Sequence, residues 1–168
     1  MPNNLEIEKK FIIRYPDTEF LQSLEGCSCS DIEQIYLVSE DGKSERIRKR
    51  GTDGDFRYYH TVKYHLTDMT RVEDESLITK EEYEALRQKS DPNLNVIYKT
   101  RYVFPFQNHM IEIDVFPFWD RQAYLEIELE DEKEDYKIPD FIEMVCDVTL
   151  DKKYTNHSLA KTIPDQIV

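Results

Sequence analysis

Glycine is scarce in this sequence. The 168 residues contain only Gly26, Gly42, Gly51 and Gly54, and none opens a helix in a phosphate-cradling or dinucleotide-binding pattern. Any phosphate bound here must be held by side chains rather than by a glycine-rich backbone. Cysteine is scarce as well. Cys27, Cys29 and Cys146 are an odd number and lack the fourth ligand of a structural zinc site, so reduced thiols are expected. The histidines His60, His65, His109 and His157 show no metal-ligand spacing and are expected as surface or strand residues. Long apolar runs are absent, none exceeding five residues, and the opening Met-Pro-Asn-Asn-Leu-Glu has neither a basic nor an apolar stretch. Neither a membrane span nor a signal peptide is expected, which points to the cytoplasm. Positive charge is also in deficit, with 22 Lys and Arg against 35 Asp and Glu for a net charge of −13. That balance argues against nucleic acid gripped on the outer surface and against binding to an anionic membrane.

Leu, Ile, Val and Phe nevertheless number 44, enough for a charged chain to fold, and one domain over residues 1–168 is expected. Period-two alternation separated by turn signals dominates the chain and argues for sheet. Eight strands are expected: Leu5 to Ile13, Glu33 to Ser39, Ser44 to Arg50, Arg57 to Leu66, Met69 to Ser76, Asn95 to Phe104, His109 to Phe116 and Ala123 to Glu130. Helices are expected near Thr18 to Glu25, after the capping box Thr79-Lys80-Glu81-Glu82 to about Lys89, from Pro139 to about Cys146, and near Asn156 to Lys161. The acidic stretch Glu130 to Asp135 reads as a solvated hairpin or loop.

The polar faces of these strands carry like-charged pairs two residues apart. They are Glu6/Glu8, Arg46/Arg48, Glu73/Glu75, Lys99/Arg101, Glu112/Asp114 and Glu126/Glu128. Such side chains share a face and stand only about 7 Å apart, so each pair needs opposite charge nearby. Eight antiparallel strands can close into a barrel. If the charged faces point inward, the fold is a mainly β, α+β protein whose eight-stranded antiparallel barrel has a charged lumen, with a few helices packed outside. Bases in such a lumen would grip phosphoryl oxygens, and carboxylates would hold hard divalent cations.

The ordered series of motifs resembles a known family. Glu6-Ile7-Glu8-Lys9-Lys10-Phe11 is similar to the N-terminal Glu-x-Glu-x-Lys signature of the triphosphate tunnel metalloenzymes, also called the CYTH domain. Arg46-Ile47-Arg48, Thr61-Val62-Lys63, Arg71-Val72-Glu73-Asp74-Glu75, Lys99-Thr100-Arg101, Glu112-Ile113-Asp114, Glu126-Ile127-Glu128 and Asp147-Val148-Thr149 follow in the family's order. The resemblance runs from Glu6 to Ala160, and the length and ending look like those of the short bacterial tripolyphosphatases. Asp147 stands where their ending often has Glu.

The resemblance implies an eight-stranded tunnel that binds a triphosphate with one or two Mg²⁺ or Mn²⁺ ions. The activity it favours is hydrolysis of inorganic triphosphate to diphosphate and phosphate. Alternatives are a class IV adenylyl cyclase, a thiamine or nucleoside triphosphatase, and a non-catalytic triphosphate- or polyphosphate-binding module. Substrate contacts are expected from Lys10, Arg46, Arg48, Lys63, Arg71, Lys99, Arg101 and Lys153, the last preferred over Lys152. Metal ligands are expected from Glu6, Glu8, Glu126 and Glu128, completed by Glu73, Glu75, Glu112 and Asp114. Glu8 or Glu128 would take the proton of the attacking water, with Lys10 beside it. These eight acids and eight bases cancel, which places the net charge outside the lumen. A homodimer is compatible with so small a barrel.

Overall fold

The computed structural model describes residues 5–168; the first four residues, on which part of the leader reading rests, lie outside them. Each expected alternating segment becomes a strand. They are β1 (Leu5–Arg14), β2 (Ser28–Tyr36), β3 (Lys43–Thr52), β4 (Asp55–His65), β5 (Thr70–Ile78), β6 (Ile97–Phe106), β7 (His109–Val115) and β8 (Gln122–Leu129). Neighbours pair antiparallel in the order β5-β4-β3-β2-β6-β7-β8-β1, and β5 returns to β1 through Leu5↔Val72, Glu6↔Arg71 and Ile7↔Thr70. The eight strands therefore close into a barrel. One hairpin shows how local chemistry sets register: Thr52 faces Asp55 across Asp53 and Gly54, which both take positive φ, 52° and 84°. An Asp-Gly turn of this hand matches strand twist.

Among the described residues there are three α-helices, α1 (Thr18–Ser23), α2 (Lys80–Arg87) and α3 (Asn156–Lys161). Thr79 caps α2 as expected, its hydroxyl accepting the Glu82 N–H at 3.0 Å. The segment read as a helix from Pro139 to Cys146 is instead a turn followed by a ninth strand, β9 (Met144–Asp147). The reason is a vacancy on β1. Partner β5 reaches only residues 5–7, which leaves the same edge open at Phe11–Ile13, and β9 fills it. Strand β2 begins five residues earlier than expected and ends at Tyr36 rather than Ser39. Ser28 to Asp31 look like turn residues, yet they ladder against Val103 to Thr100 of β6.

Alternation divides the apolar residues between two outer cores. Ile7, Phe11, Ile13, Ile111, Ile113, Leu125 and Ile127 pack beneath Leu21 of α1 and Ile142. Ile35 and Ile47 pack beneath Tyr83 of α2. Each fully buried aliphatic side chain of this kind contributes roughly 1.5–3 kcal/mol. A third cluster faces inward at one rim of the barrel. Ile12, Tyr36, Ile97, Phe116 and Tyr124 meet Tyr154, Leu159 and Ala160 from the C-terminal segment. This apolar plug stops the side of the rim formed by β6, β7 and β8, and the side formed by β3, β4 and β5 stays open. Among the described residues no helix is long and apolar enough to cross a membrane.

Candidate active site

The strand residues of one parity carry apolar groups outward, so the residues of the other parity line the lumen. Apart from Lys153, every charged residue expected in the site lies on those inward-facing positions. In each like-charged pair at least one member meets opposite charge on an adjacent or next-nearest strand. Lys63 Nζ lies 2.9 Å from Glu6, Arg48 2.9 Å from Glu75, Arg46 3.7 Å from Glu73 and Lys10 3.4 Å from Glu126. Arg71 reaches Glu8 at 3.5 Å and Glu6 at 3.9 Å. Asp114 is gripped by Lys99 at 2.9 Å and by Arg101 at 2.8 and 2.9 Å, and Arg101 extends to Glu112 at 3.5 Å. The Arg48–Glu75 contact crosses β4 over the small side chain of Thr61, whose hydroxyl also donates to Glu75 at 2.9 Å.

The open side of the plugged rim leads into a cavity of about 610 Å³. Six bases line it, Lys10, Lys43, Arg46, Lys63, Arg71 and Lys152, against three acids, Glu8, Asp68 and Asp151. Arg48, Lys99 and Arg101 face the lumen without lining this cavity. Lys153 does not enter it: its side chain is 64% exposed and lies 4.0 Å from Asp151. The preference for Lys153 over Lys152 is thus reversed in placement, because Lys152 to Tyr154 form a tight 3₁₀ turn that aims Lys152 at the cavity. Asp68, Asp151 and Lys152 are cavity residues that strand alternation could not reveal, since they sit on turns, and Lys43 opens β3 at a position of opposite parity to Arg46 and Arg48. His65 also lines the cavity, and its parity with Lys63 on β4 was the available signal. His157 lines it from α3, with its ring against Tyr36.

Carboxylates crowd together along β1, β7 and β8. Glu8 stands directly across from Glu128, and Glu112 directly across from Glu126, juxtapositions that cost stability without a counter-ion. Burial, together with Glu126 and Glu6, pushes the Glu8 carboxyl up to about 8. Burial and a hydrogen bond shared with Glu6 push Glu73 up to about 7. Burial opposes ionisation of Glu6, yet Lys63 and the hydrogen bond from Glu73 hold it well below the usual range. Burial also raises Glu112 and Glu128, with Glu126 adding to both. Asp114 behaves oppositely: Arg101 and Lys99 overcome its burial and keep it ionised far down the pH scale.

These oxygen donors suit a hard divalent cation. Oε1 of Glu126 is buried without a hydrogen bond, since Lys10 approaches it only at ion-pair distance. Among the described residues no three acidic, histidine or cysteine side chains already converge as a cage, because bases separate the carboxylates. The three cysteines carry free thiols, and burial pushes Cys27 and Cys29 up, away from reactivity. Asp147 has a defined role outside the lumen: one oxygen pairs with Lys9 at 2.7 Å and the other accepts the Thr149 N–H at 2.9 Å.

No family model and no curated protein matches the sequence. Solved structures do match. The chain is 28% identical to hypothetical protein NE1496, covering 95% of this chain and 99% of that one with a TM-score of 0.58. A second structure, inorganic triphosphatase NE1496, gives 27% identity over 95% and 97% of the two chains, also at 0.58. This is the triphosphate tunnel fold. HpAC1 from Hippeastrum, an adenylyl cyclase candidate with a dominant triphosphatase activity, shares the tunnel fold at 16% identity over 75% of this chain and 80% of its own, with a TM-score of 0.53. Within that fold the cavity described above is the base-rich opening of the tunnel, and the apolar plug closes the rim beside it.

Proposed function

We propose that the chain hydrolyses inorganic triphosphate to diphosphate and phosphate with the help of one or two Mg²⁺ or Mn²⁺ ions. The observation that carries this reading is the cavity lining: six bases against three acids inside a protein of net charge −13. The likeness to inorganic triphosphatase NE1496 over 95% of the chain supports it. Arg46 and Arg71 supply planar, multidentate donors for phosphoryl oxygens, and Lys10 and Lys63 supply point charges. Lys43 and Lys152 extend the same field outward at the mouth. Glu8 lines the cavity, and burial pushes its carboxyl up to about 8, so in its ionised form it is a carboxylate of raised basicity placed to take the proton of the attacking water. Glu128 is exposed and does not line the cavity, which favours Glu8 of the two. A divalent ion held among Glu6, Glu8, Glu126 and Glu128, with Glu73, Glu75, Glu112 and Asp114 around them, would neutralise developing phosphate charge and activate water.

The lumen ion pairs are then exchangeable partners. On the open wall, phosphates would take the bases, and the freed carboxylates of Glu6, Glu8 and Glu73 would be available to hold a cation. The deciding experiment offers tripolyphosphate, ATP and thiamine triphosphate with Mg²⁺ or Mn²⁺ and follows phosphate, diphosphate and cyclic AMP. Diphosphate and phosphate from tripolyphosphate are expected. Cyclic AMP as the main product from ATP would make the protein a cyclase, and binding without turnover would make it a sequestering module. Glu8→Gln and Lys10→Ala, made separately, are each expected to lower hydrolysis at least 100-fold, roughly the cost of losing one group that acts on the transition state. Wild-type rates in both would sink the mechanism.

A further inference from the structure

Lys10 is held differently from the other lumen lysines. Lys63 and Lys99 each make a 2.9 Å contact to a carboxylate, the length of a strong charge-assisted bond. Lys10 has only long contacts. Its Nζ lies 3.4 Å from Glu126, 3.3 Å from the Tyr154 carbonyl oxygen and 4.9 Å from the ring centre of Tyr124. None of these consumes the ammonium, yet together they fix where it points. Two of the three depend on Tyr124. Its ring carries the ammonium on one face, and its hydroxyl donates to the same Tyr154 carbonyl at 2.8 Å. Tyr124 is fully buried, edge-on to Phe116, Trp119 and Tyr154, so it has no freedom to follow a moving partner.

The Lys10 backbone is tied to the same C-terminal segment. Its N–H donates to the Thr149 hydroxyl at 3.0 Å, and its carbonyl accepts the Val148 N–H at 2.9 Å. Lys10 therefore joins β1 to the segment that forms one wall of the cavity. The plug supplies the fixed end of that connection.

We propose that Tyr124 is a positioning residue for triphosphate binding, acting through Lys10. This rests on the triphosphate reading of the site. The ring offers the ammonium a cation–π support that needs no counter-anion, and the hydroxyl holds the Tyr154 carbonyl in place. Lys10 stays aimed into the cavity while remaining free to take a phosphoryl oxygen.

A double-mutant cycle tests this without requiring turnover. The dissociation constant for tripolyphosphate is measured by calorimetry for wild type, Tyr124→Leu, Lys10→Ala and the double variant, with Tyr124→Phe as the conservative control. Loss of the cation–π support is expected to weaken binding about fivefold to tenfold in Tyr124→Leu. In the Lys10→Ala background the same change is expected to cost less than twofold, because the group it positions is gone. Tyr124→Phe keeps the ring and is expected to retain most of the affinity. Equal losses in both backgrounds would show that Tyr124 acts only through packing and would overturn the proposal. If Tyr124→Leu fails to fold, Tyr124→Met, which removes the ring but fills the buried space more flexibly, replaces it in the cycle with Lys10→Ala and is judged by the same criterion. Wild type that does not bind tripolyphosphate would overturn the triphosphate reading and this proposal together, whereas binding with an additive cycle would overturn this proposal alone.

Discussion

Two walls of one lumen use the same residue types to different ends. On the wall formed by β6 and β7, Lys99, Arg101 and Asp114 satisfy one another at 2.8–2.9 Å, and the Lys99 and Asp114 side chains are 0% and 2% exposed. On the wall formed by β1, β3, β4 and β5, most contacts are longer: Arg46 at 3.7 Å, Arg71 at 3.5 and 3.9 Å, Lys10 at 3.4 Å. The first wall is a completed ion network beside the apolar plug. The second faces the cavity with charge left to give. A buried base that is fully matched is part of the structure, and one that is loosely matched is available to a ligand. Two contacts on the open wall are exceptions, Lys63 at 2.9 Å from Glu6 and Arg48 at 2.9 Å from Glu75, and of these two bases only Lys63 lines the cavity.

The sharpest way to break this comparison is to cut one member from each wall. Asp114→Ala leaves Lys99 and Arg101 buried together without their anion, which is expected to cost about 3–5 kcal/mol of stability. A thermal melt of the metal-free protein should show a drop of roughly 10 °C for a chain of this size. Arg71→Ala removes a loosely paired base, so its melting point should move by only a few degrees. Its kcat/KM for tripolyphosphate should nevertheless fall about 100-fold, in the range of a lost transition-state donor. If Arg71→Ala melts as low as Asp114→Ala while keeping its activity, Arg71 is a structural cross-strand partner and the two walls are not distinct.

A smaller effect separates the walls by pH. The Glu8 carboxyl, pushed up by burial, Glu126 and Glu6, has its folded value near 8 against an ordinary 4.5. The folded protein thus keeps a proton that the unfolded chain releases. Its stabilising contribution is complete below about pH 4.5 and is lost as pH rises toward 8. Glu73, raised to about 7, adds to the same trend. Glu8→Gln removes this dependence. Without metal, its melting point should exceed wild type by a few degrees at pH 8 and equal it at pH 4, while hydrolysis is lost. Stability gained where activity is lost would locate the cost of the site in its crowded carboxylates. A variant less stable than wild type at pH 8 would contradict that account.

The barrel is legible in the sequence because its strands must keep an apolar face outward and a charged face inward, and a period of two writes both on the same stretch. Glu6, Glu8 and Lys10 could be assigned to the lumen from Ile7, Phe11 and Ile13 alone. Legibility ends where structure depends on something distant. Strand β9 exists because β5 leaves part of β1 unpaired, a fact that Met144 to Asp147 do not carry. Ser28 to Asp31 resemble a turn because their strand character comes from laddering against β6. Within the site, charge type and strand parity are readable, but the length of each ion pair is not, and length is what divides the two walls.

The smallest effect concerns the adjacent pair Lys152 and Lys153. In a strand, neighbours point to opposite faces, and in an α-helix they diverge by about 100°. Here a 3₁₀ turn, capped by Asp151 accepting the Lys153 N–H at 3.2 Å, decides the matter by sending Lys152 toward the cavity and leaving Lys153 in solvent. Lys152 is itself exposed at the mouth, so its attraction for a polyanion is screened and worth about 0.2–1 kcal/mol. Lys152→Ala should therefore raise the KM for tripolyphosphate about twofold to fourfold at low ionic strength, fading at 0.5 M salt as the Debye length shrinks. Lys153→Ala should leave KM unchanged at either salt concentration. The reverse order would mean that the turn rearranges when substrate enters and that the mouth of the tunnel is built differently in the loaded protein.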